Sequence, residues 1–225
     1  MDEEQLWLNR KRVAEEYYRA LDTPERQREE AEVIKDYRNN GFKVREIEDL
    51  GMKQELLDSP RAFEIALSWI PIVKETGNKQ NLLGVIAQQL SRKIGLIKDS
   101  PTRKKICTEV LINAFEQYKN TKPLDHSIRN SAANILMILA NDSVYDEVLA
   151  LARNDVRQDL NEDGVFGVLE RPLIVRALGK MKKHPEVVNE LILLLDDKHV
   201  GVYNEAIHAL GRLKNPKALP YLKLF

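Results

Sequence analysis

The residues best spaced for chemistry lie between 159 and 170. Asp159, Asn161 and Asp163 alternate with other side chains, Gly164 follows them, and Glu170 closes the run. Carboxylate and amide oxygens on alternate residues are hard donors of the kind calcium takes. The Val165 carbonyl would add a fourth, Gly164 would make the sharp turn, and Glu170 would complete the shell with both oxygens. The same composition also suits a plain polar turn, because Asn, Asp and Gly dominate loops. Other reactive types are poorly placed. His126, His184, His199 and His208 show no metal-ligand spacing, and no glycine-rich phosphate loop is present. Cys107 sits at an apolar position of KKICTEVLINAF, which assigns it to a core rather than to nucleophilic work.

A second concentration of reactive groups is cationic. Residues 171–225 hold ten Lys and Arg against five Asp and Glu, a local excess of five positive charges. Such a stretch would receive an acidic partner or a phosphate backbone. The competing reading is a solvated helix face, where Lys and Arg are common. Over all 225 residues, 35 basic and 35 acidic side chains cancel, so no global attraction to nucleic acid or membrane is expected. A hydrophobic content of 43% is enough for a core, and one cysteine excludes a disulfide scaffold or a cysteine zinc cluster. The longest apolar runs, such as Leu191–Leu195, are far too short to cross a bilayer. The acidic start MDEEQLWLNRKR differs from the basic start of a signal peptide. The expectation is a protein of the cytoplasm, with no membrane association.

The elements that must position these groups read as helices. Period-two alternation is nearly absent, whereas Leu6, Val13, Tyr17 and Leu21 recur at helical spacing. Thr23-Pro24, Ser59-Pro60, Ser100-Pro101, His184-Pro185 and Asn215-Pro216 each precede an apolar-periodic stretch. A Thr, Ser or Asn cap followed by proline starts a helix without losing a hydrogen bond; His184 is a weaker cap. The expected helices cover 3–21, 24–39, 44–57, 60–75, 79–96, 101–118, 126–140, 143–155, 170–182, 185–196, 201–213 and 216–225. Charge density divides the chain: 24 of the first 50 residues are charged, and apolar content rises after them. A charged helical segment at 1–58 followed by helical repeats at 59–225 is the expected organisation.

The repeats are explicit near the C-terminus. Val202-Tyr-Asn-Glu-Ala206-Ile207-His-Ala209-Leu210-Gly211 leads through Asn215-Pro216 into Ala218-Leu219 and Leu222. Ile128-Arg129-Asn-Ser-Ala132-Ala133-Asn-Ile135-Leu136 is a second copy, and Glu170-Arg171-Pro-Leu-Ile174-Val175-Arg-Ala177-Leu178-Gly179 a third. The pattern resembles the HEAT-like repeat, in the version of phycobilisome-lyase-type proteins, over about 125–225. The resemblance implies an all-α fold, a right-handed α-solenoid of helix pairs carrying a polar N-terminal helical segment. It assigns the small Ala positions to close helix contacts, and Gly179 and Gly211 to turns with positive φ. It also implies a concave partner-binding surface lined by the second helix of each pair. The polar positions there are Asn130, Asn134, Arg176, Lys180, His208 and Arg212.

The spacing of the copies is uneven. Glu170 and Val202 are 32 residues apart, but Ile128 and Glu170 are 42 apart. The insertion coincides with the acidic loop, whose D-x-[DN]-x-[DN]-G-x5-E pattern resembles an EF-hand loop. Three features depart from that family: the loop stands alone, Pro172 disfavours helix at Arg171, and the flanking helices also serve the repeat. A structural calcium clip is the better form of the expectation.

The functional reading is a non-enzymatic macromolecular interaction module with a protein partner. Nucleic acid through the basic C-terminal stripe is an alternative partner, and a homodimer through Leu219, Leu222, Leu224 and Phe225 is a further expectation. Two alternative functions stand beside it, a calcium-stabilised adaptor and an enzyme similar to the HEAT-fold DNA glycosylases. The enzyme would need an aromatic–carboxylate cluster in its groove. Only Trp7 and Trp69 are available as tryptophans, and the apolar spacing around Trp69 favours a core role. Nothing indicates a bilin substrate.

Overall fold

A computed structural model describes residues 5, 23–92, 97, 100–112, 123–153 and 170–223. The expected helix at 3–21, with Trp7, therefore lies outside the described residues, as do Asp159, Asn161, Asp163, Val165, Leu224 and Phe225. Every regular element among the described residues is helical. They fall into two compact units, residues 1–92 with 122–128, and residues 93–121 with 129–225.

In the first unit, α1 (Pro24–Asn39) begins where Thr23 accepts a hydrogen bond from the Arg26 amide. It ends at Asn40, and Gly41 turns the chain at φ 87°, in the left-handed region that suits glycine. The expected helix over 44–57 is instead two single turns, α2 (Asp49–Met52) and α3 (Gln54–Leu57), divided by Lys53 in an extended conformation. Lys53 Nζ donates to Asp49 Oδ2 at 2.9 Å across this break. Helix α4 (Pro60–Trp69) starts on a Ser59 cap, and α5 (Thr76–Arg92) begins earlier than expected. Helix α1 packs on α4 and α5, and α2 to α4 pack on α5. Val33, Tyr37, Leu50, Leu57, Ala66, Leu82 and Leu90 form a core almost closed to solvent.

The second unit contains α6 (Ser100–Lys105), which widens into a π-helix over Ile106–Ile112. It continues with α7 (Pro123–Leu139, from residue 129 onward), α8 (Tyr145–Arg153), α9 (Glu170–Leu178), α10 (Val187–Leu193), α11 (Val200–Leu213) and α12 (Leu219–Leu222). Helix α9 packs on α8 and on α11, and α11 also packs on α10. Helices α9 and α11 thus form a row, with α8 beside α9 and α10 beside α11. Asn215 caps a short 3-10 turn at Pro216–Ala218, as its dipeptide predicts. His184 does not act as a cap. Its ring stacks on Tyr145 at 4.0 Å, its Nε2 lies 3.0 Å from the Asp142 carbonyl oxygen, and the helix starts later, at Val187.

The glycines of the repeat also differ from expectation. Neither Gly179 nor Gly211 has positive φ; Gly211 is inside α11, and the left-handed cap after it is Lys214 at φ 51°. Gly179 is required by space. A Cβ there would stand 2.5 Å from Ala209 Cβ and 3.3 Å from Ala209 Cα, whereas one at Gly211 would meet nothing. Buried Ala132, Ala133, Ala177, Ala206 and Ala209 complete the small-residue contacts that the repeat pattern assigns to the helix row.

Candidate functional site

The polar side chains of the α9–α11 row converge. Arg176, on α9, reaches Glu205 on α11 with a two-pronged contact: Nε donates to Oε2 at 3.0 Å and Nη2 donates to Oε1. Glu205 is almost buried, and its side-chain hydrogen bond from Arg176, helped by the charges of Arg176, Arg212 and His208, holds its carboxyl below the usual range. One turn on, the Lys180 ammonium donates to the Met137 carbonyl at the end of α7. Lys180 is exposed as a residue, with its ammonium partly desolvated by its neighbours. That desolvation lowers its pKa, and Arg212 and Arg176 lower it further. Arg212 approaches the same spot, with Nη2 3.5 Å from the place where a Gly179 Cβ would lie.

Arg176, His208 and Arg212 are therefore neighbours of Glu205, Lys180 is a neighbour of Arg176 and Arg212, and all four are exposed. Asn130 and Asn134 are different. Both are half-buried, and Asn134 donates its amide back to the Asn130 carbonyl at 3.0 Å within α7. The cationic end of the row is presented to solvent more fully than the Asn end. Sequence reasoning missed the roles of Glu205 and Met137. Glu205 counts only as one acid in an excess of bases until the fold places it under Arg176.

Glu170, expected to complete a calcium shell, is 5% exposed beside Arg129, which is 2% exposed, with Oε1 3.3 Å from Nε. A buried carboxylate needs a charge partner. Arg129 thus accounts for a Glu at a position that is apolar in the other copies. A metal drawing on Glu170 would have to compete with that guanidinium. No group of metal-ligating side chains occurs among the described residues. Cys107 is buried, and burial pushes its thiol up to about 12, far from a nucleophile's range.

Further Arg–carboxylate pairs tie the unit together. Arg171 donates to the Ala152 carbonyl at 2.9 Å and meets Asp197 at 2.6 Å, and Arg153 meets Glu190 at 2.5 Å. Residues 170–224 match the family of HEAT repeats. The match covers two of the three sequence copies; the third, at 128–136, lies outside it. No curated protein and no solved structure matches the chain. The HEAT-like region thus coincides with α9 to α12 and contains the whole cationic cluster.

Among the described residues of the first unit, an aromatic–carboxylate meeting of the kind a base-excising enzyme would need is that of Trp69 and Asp36. Trp69 Nε1 donates to Asp36 Oδ2 at 2.9 Å, and Asn40 donates to Asp36 Oδ1 at 3.2 Å. Both carboxylate oxygens are engaged within the unit, and Trp69 is half-buried rather than fully in the core. At the C-terminal end, Leu219 and Tyr221 are exposed and Leu222 is half-buried. No described helix is long and apolar enough to cross a membrane.

Proposed function

We propose that the chain is a non-enzymatic interaction module whose HEAT-like region binds a protein partner on the face of the α9–α11 row. The observation that carries this reading is the asymmetry of those helices. Their apolar sides, with Ile174, Ala177, Ala206 and Ala209, are buried, while Arg176, Lys180, His208 and Arg212 stay exposed together on one surface. Repeat arrays characteristically present such continuous faces to macromolecules, and the fold alone names no chemistry.

Photocrosslinking tests the face. A photoreactive residue replacing His208 should yield a discrete protein adduct in the native cell, and one replacing Asn189, exposed on α10 in the other row, should not. Equal adducts from both positions, or adducts from position 189 alone, would reject the face.

A further inference from the structure

The charge balance on the α9–α11 face names the chemistry of its partner. Four basic-type side chains meet there, but they are not equivalent. Arg176 is neutralised by its two contacts to Glu205. Lys180 is held by a neutral carbonyl, and Arg212 forms no ion pair among the described residues. Each of these two cations lies in the other's field, and the one acid of the cluster accepts its hydrogen bonds from Arg176 and is shared at longer range with Arg212 and His208. Several like charges sharing one acid raise the energy of the unbound face, and an arriving anion relieves it.

Two such cations, one of them a planar guanidinium, fit carboxylates well. Arginine offers a fork that matches both oxygens of a carboxylate, and lysine adds a point charge beside it. A nucleic-acid backbone is a poorer match. Its affinity comes from neutralising many phosphates along a continuous track. Here Glu205 interrupts the cations, and the face continues along α7 into uncharged Asn134 and Met137. Met137, half-exposed, contacts Arg176 through Sδ at 3.8 Å and supplies an adaptable apolar neighbour.

Resting on the face proposed above, we infer that Lys180 and Arg212 form a carboxylate-binding pair that captures an acidic peptide segment of the protein partner.

The test uses a fluorescently labelled short oligoglutamate peptide and the full chain, read by anisotropy at low salt. Wild type should bind it, oligolysine should not bind, and Lys180→Glu/Arg212→Glu should weaken oligoglutamate binding by at least about tenfold. Lys217→Glu/Lys223→Glu changes net charge equally on exposed residues outside the cluster and should weaken it far less. Lys180→Gln/Arg212→Gln, with an unchanged melting temperature, guards against misfolding and should also lose binding. No oligoglutamate binding by wild type, equal loss in the two glutamate variants, or tighter binding of a matched oligothymidylate would overturn the inference. The two readings fail separately. Face-specific adducts from position 208 without oligoglutamate binding would retain the face and remove the acidic partner. Oligoglutamate binding that depends on Lys180 and Arg212, without face-specific adducts, would retain the anion site and remove the interaction face.

Discussion

In the first unit, side chains join helices by reaching backbone atoms far away in sequence. In the second, helices approach through small residues and are tied by arginine–carboxylate pairs. Tyr37 donates to the Ala62 carbonyl at 2.9 Å, Gln89 to the Leu56 carbonyl at 2.8 Å, and Glu29 accepts from the Lys74 and Glu75 amides. Fully buried Asn78 donates to the Arg26 carbonyl and to Glu29, and accepts from Arg26 Nε. Glu29 thereby satisfies free amides ahead of α5, and the other bonds hold one helix against the backbone of the next. The repeat unit needs register between neighbouring helices, and directional ion pairs across a close helix contact provide it. The comparison teaches that the first unit is joined largely by uncharged side chains reaching backbone, whereas the repeat unit uses charge pairs between helices.

The largest expected effect is in the second unit. Arg129→Ala leaves Glu170 buried without its charge partner and should destabilise by about 3–5 kcal/mol. The double replacement Arg129→Met/Glu170→Met should recover most of that loss. Hydrogen exchange should rise in α9 and α11 while α1 and α4 keep their protection; a parallel loss in both regions would break the distinction between the units. Gly179→Ala follows, at about 1–3 kcal/mol, because the Ala209 backbone cannot yield to the new methyl. Gly211→Ala, in open space, should be neutral or mildly stabilising by chemical denaturation. A Gly179 variant as stable as wild type would show that close approach does not hold the row together.

The matching experiment in the first unit is Asn78→Ala, expected to cost about 1–3 kcal/mol by removing the hydrogen bonds that a fully buried side chain makes to Arg26 and Glu29. Its exchange signature should be the reverse, with protection lost in α1 and α5 first. A smaller effect concerns acid. Glu205 has a lowered folded-state pKa, so its contribution is present above the ordinary glutamate value of 4.5 and is lost as pH falls below it. Glu205→Gln should be less stable at neutral pH and should lose less stability on acidification; parallel acid limbs would contradict the Arg176 pairing. The smallest effect is a gain. Lys214→Gly relieves a left-handed backbone and should stabilise by up to about 1 kcal/mol in thermal melts.

Much of this was legible in the residues. Thr23-Pro24, Ser59-Pro60 and Asn215-Pro216 start their elements as capping chemistry requires. The repeat puts Arg176 and His208, and Lys180 and Arg212, at equivalent positions, and in the structure Arg176, His208 and Arg212 neighbour Glu205 while Lys180 neighbours Arg176 and Arg212. Less was legible where a residue's partner is distant. Ser59-Pro60 says that a helix begins, but not that it stops at Trp69, whose indole is bound to Asp36. Glu170 suggested a metal because its nearest acids in sequence are in the loop; its buried neighbour is Arg129, 41 positions earlier.

Local sequence determined what local physics governs: helix starts, the apolar period, the recurrence of Ala and Gly, and the surplus of bases after residue 170. Capping bonds and helical spacing act within a few residues, so the chain carries them openly. Tertiary structure alone decided which charges are spent and which remain. Glu205 accepts its hydrogen bonds from Arg176 and leaves Lys180 and Arg212 without one to it, and Gly179 serves close packing rather than a turn. Those outcomes depend on distances between helices, and a distance between helices is a property of the packed chain.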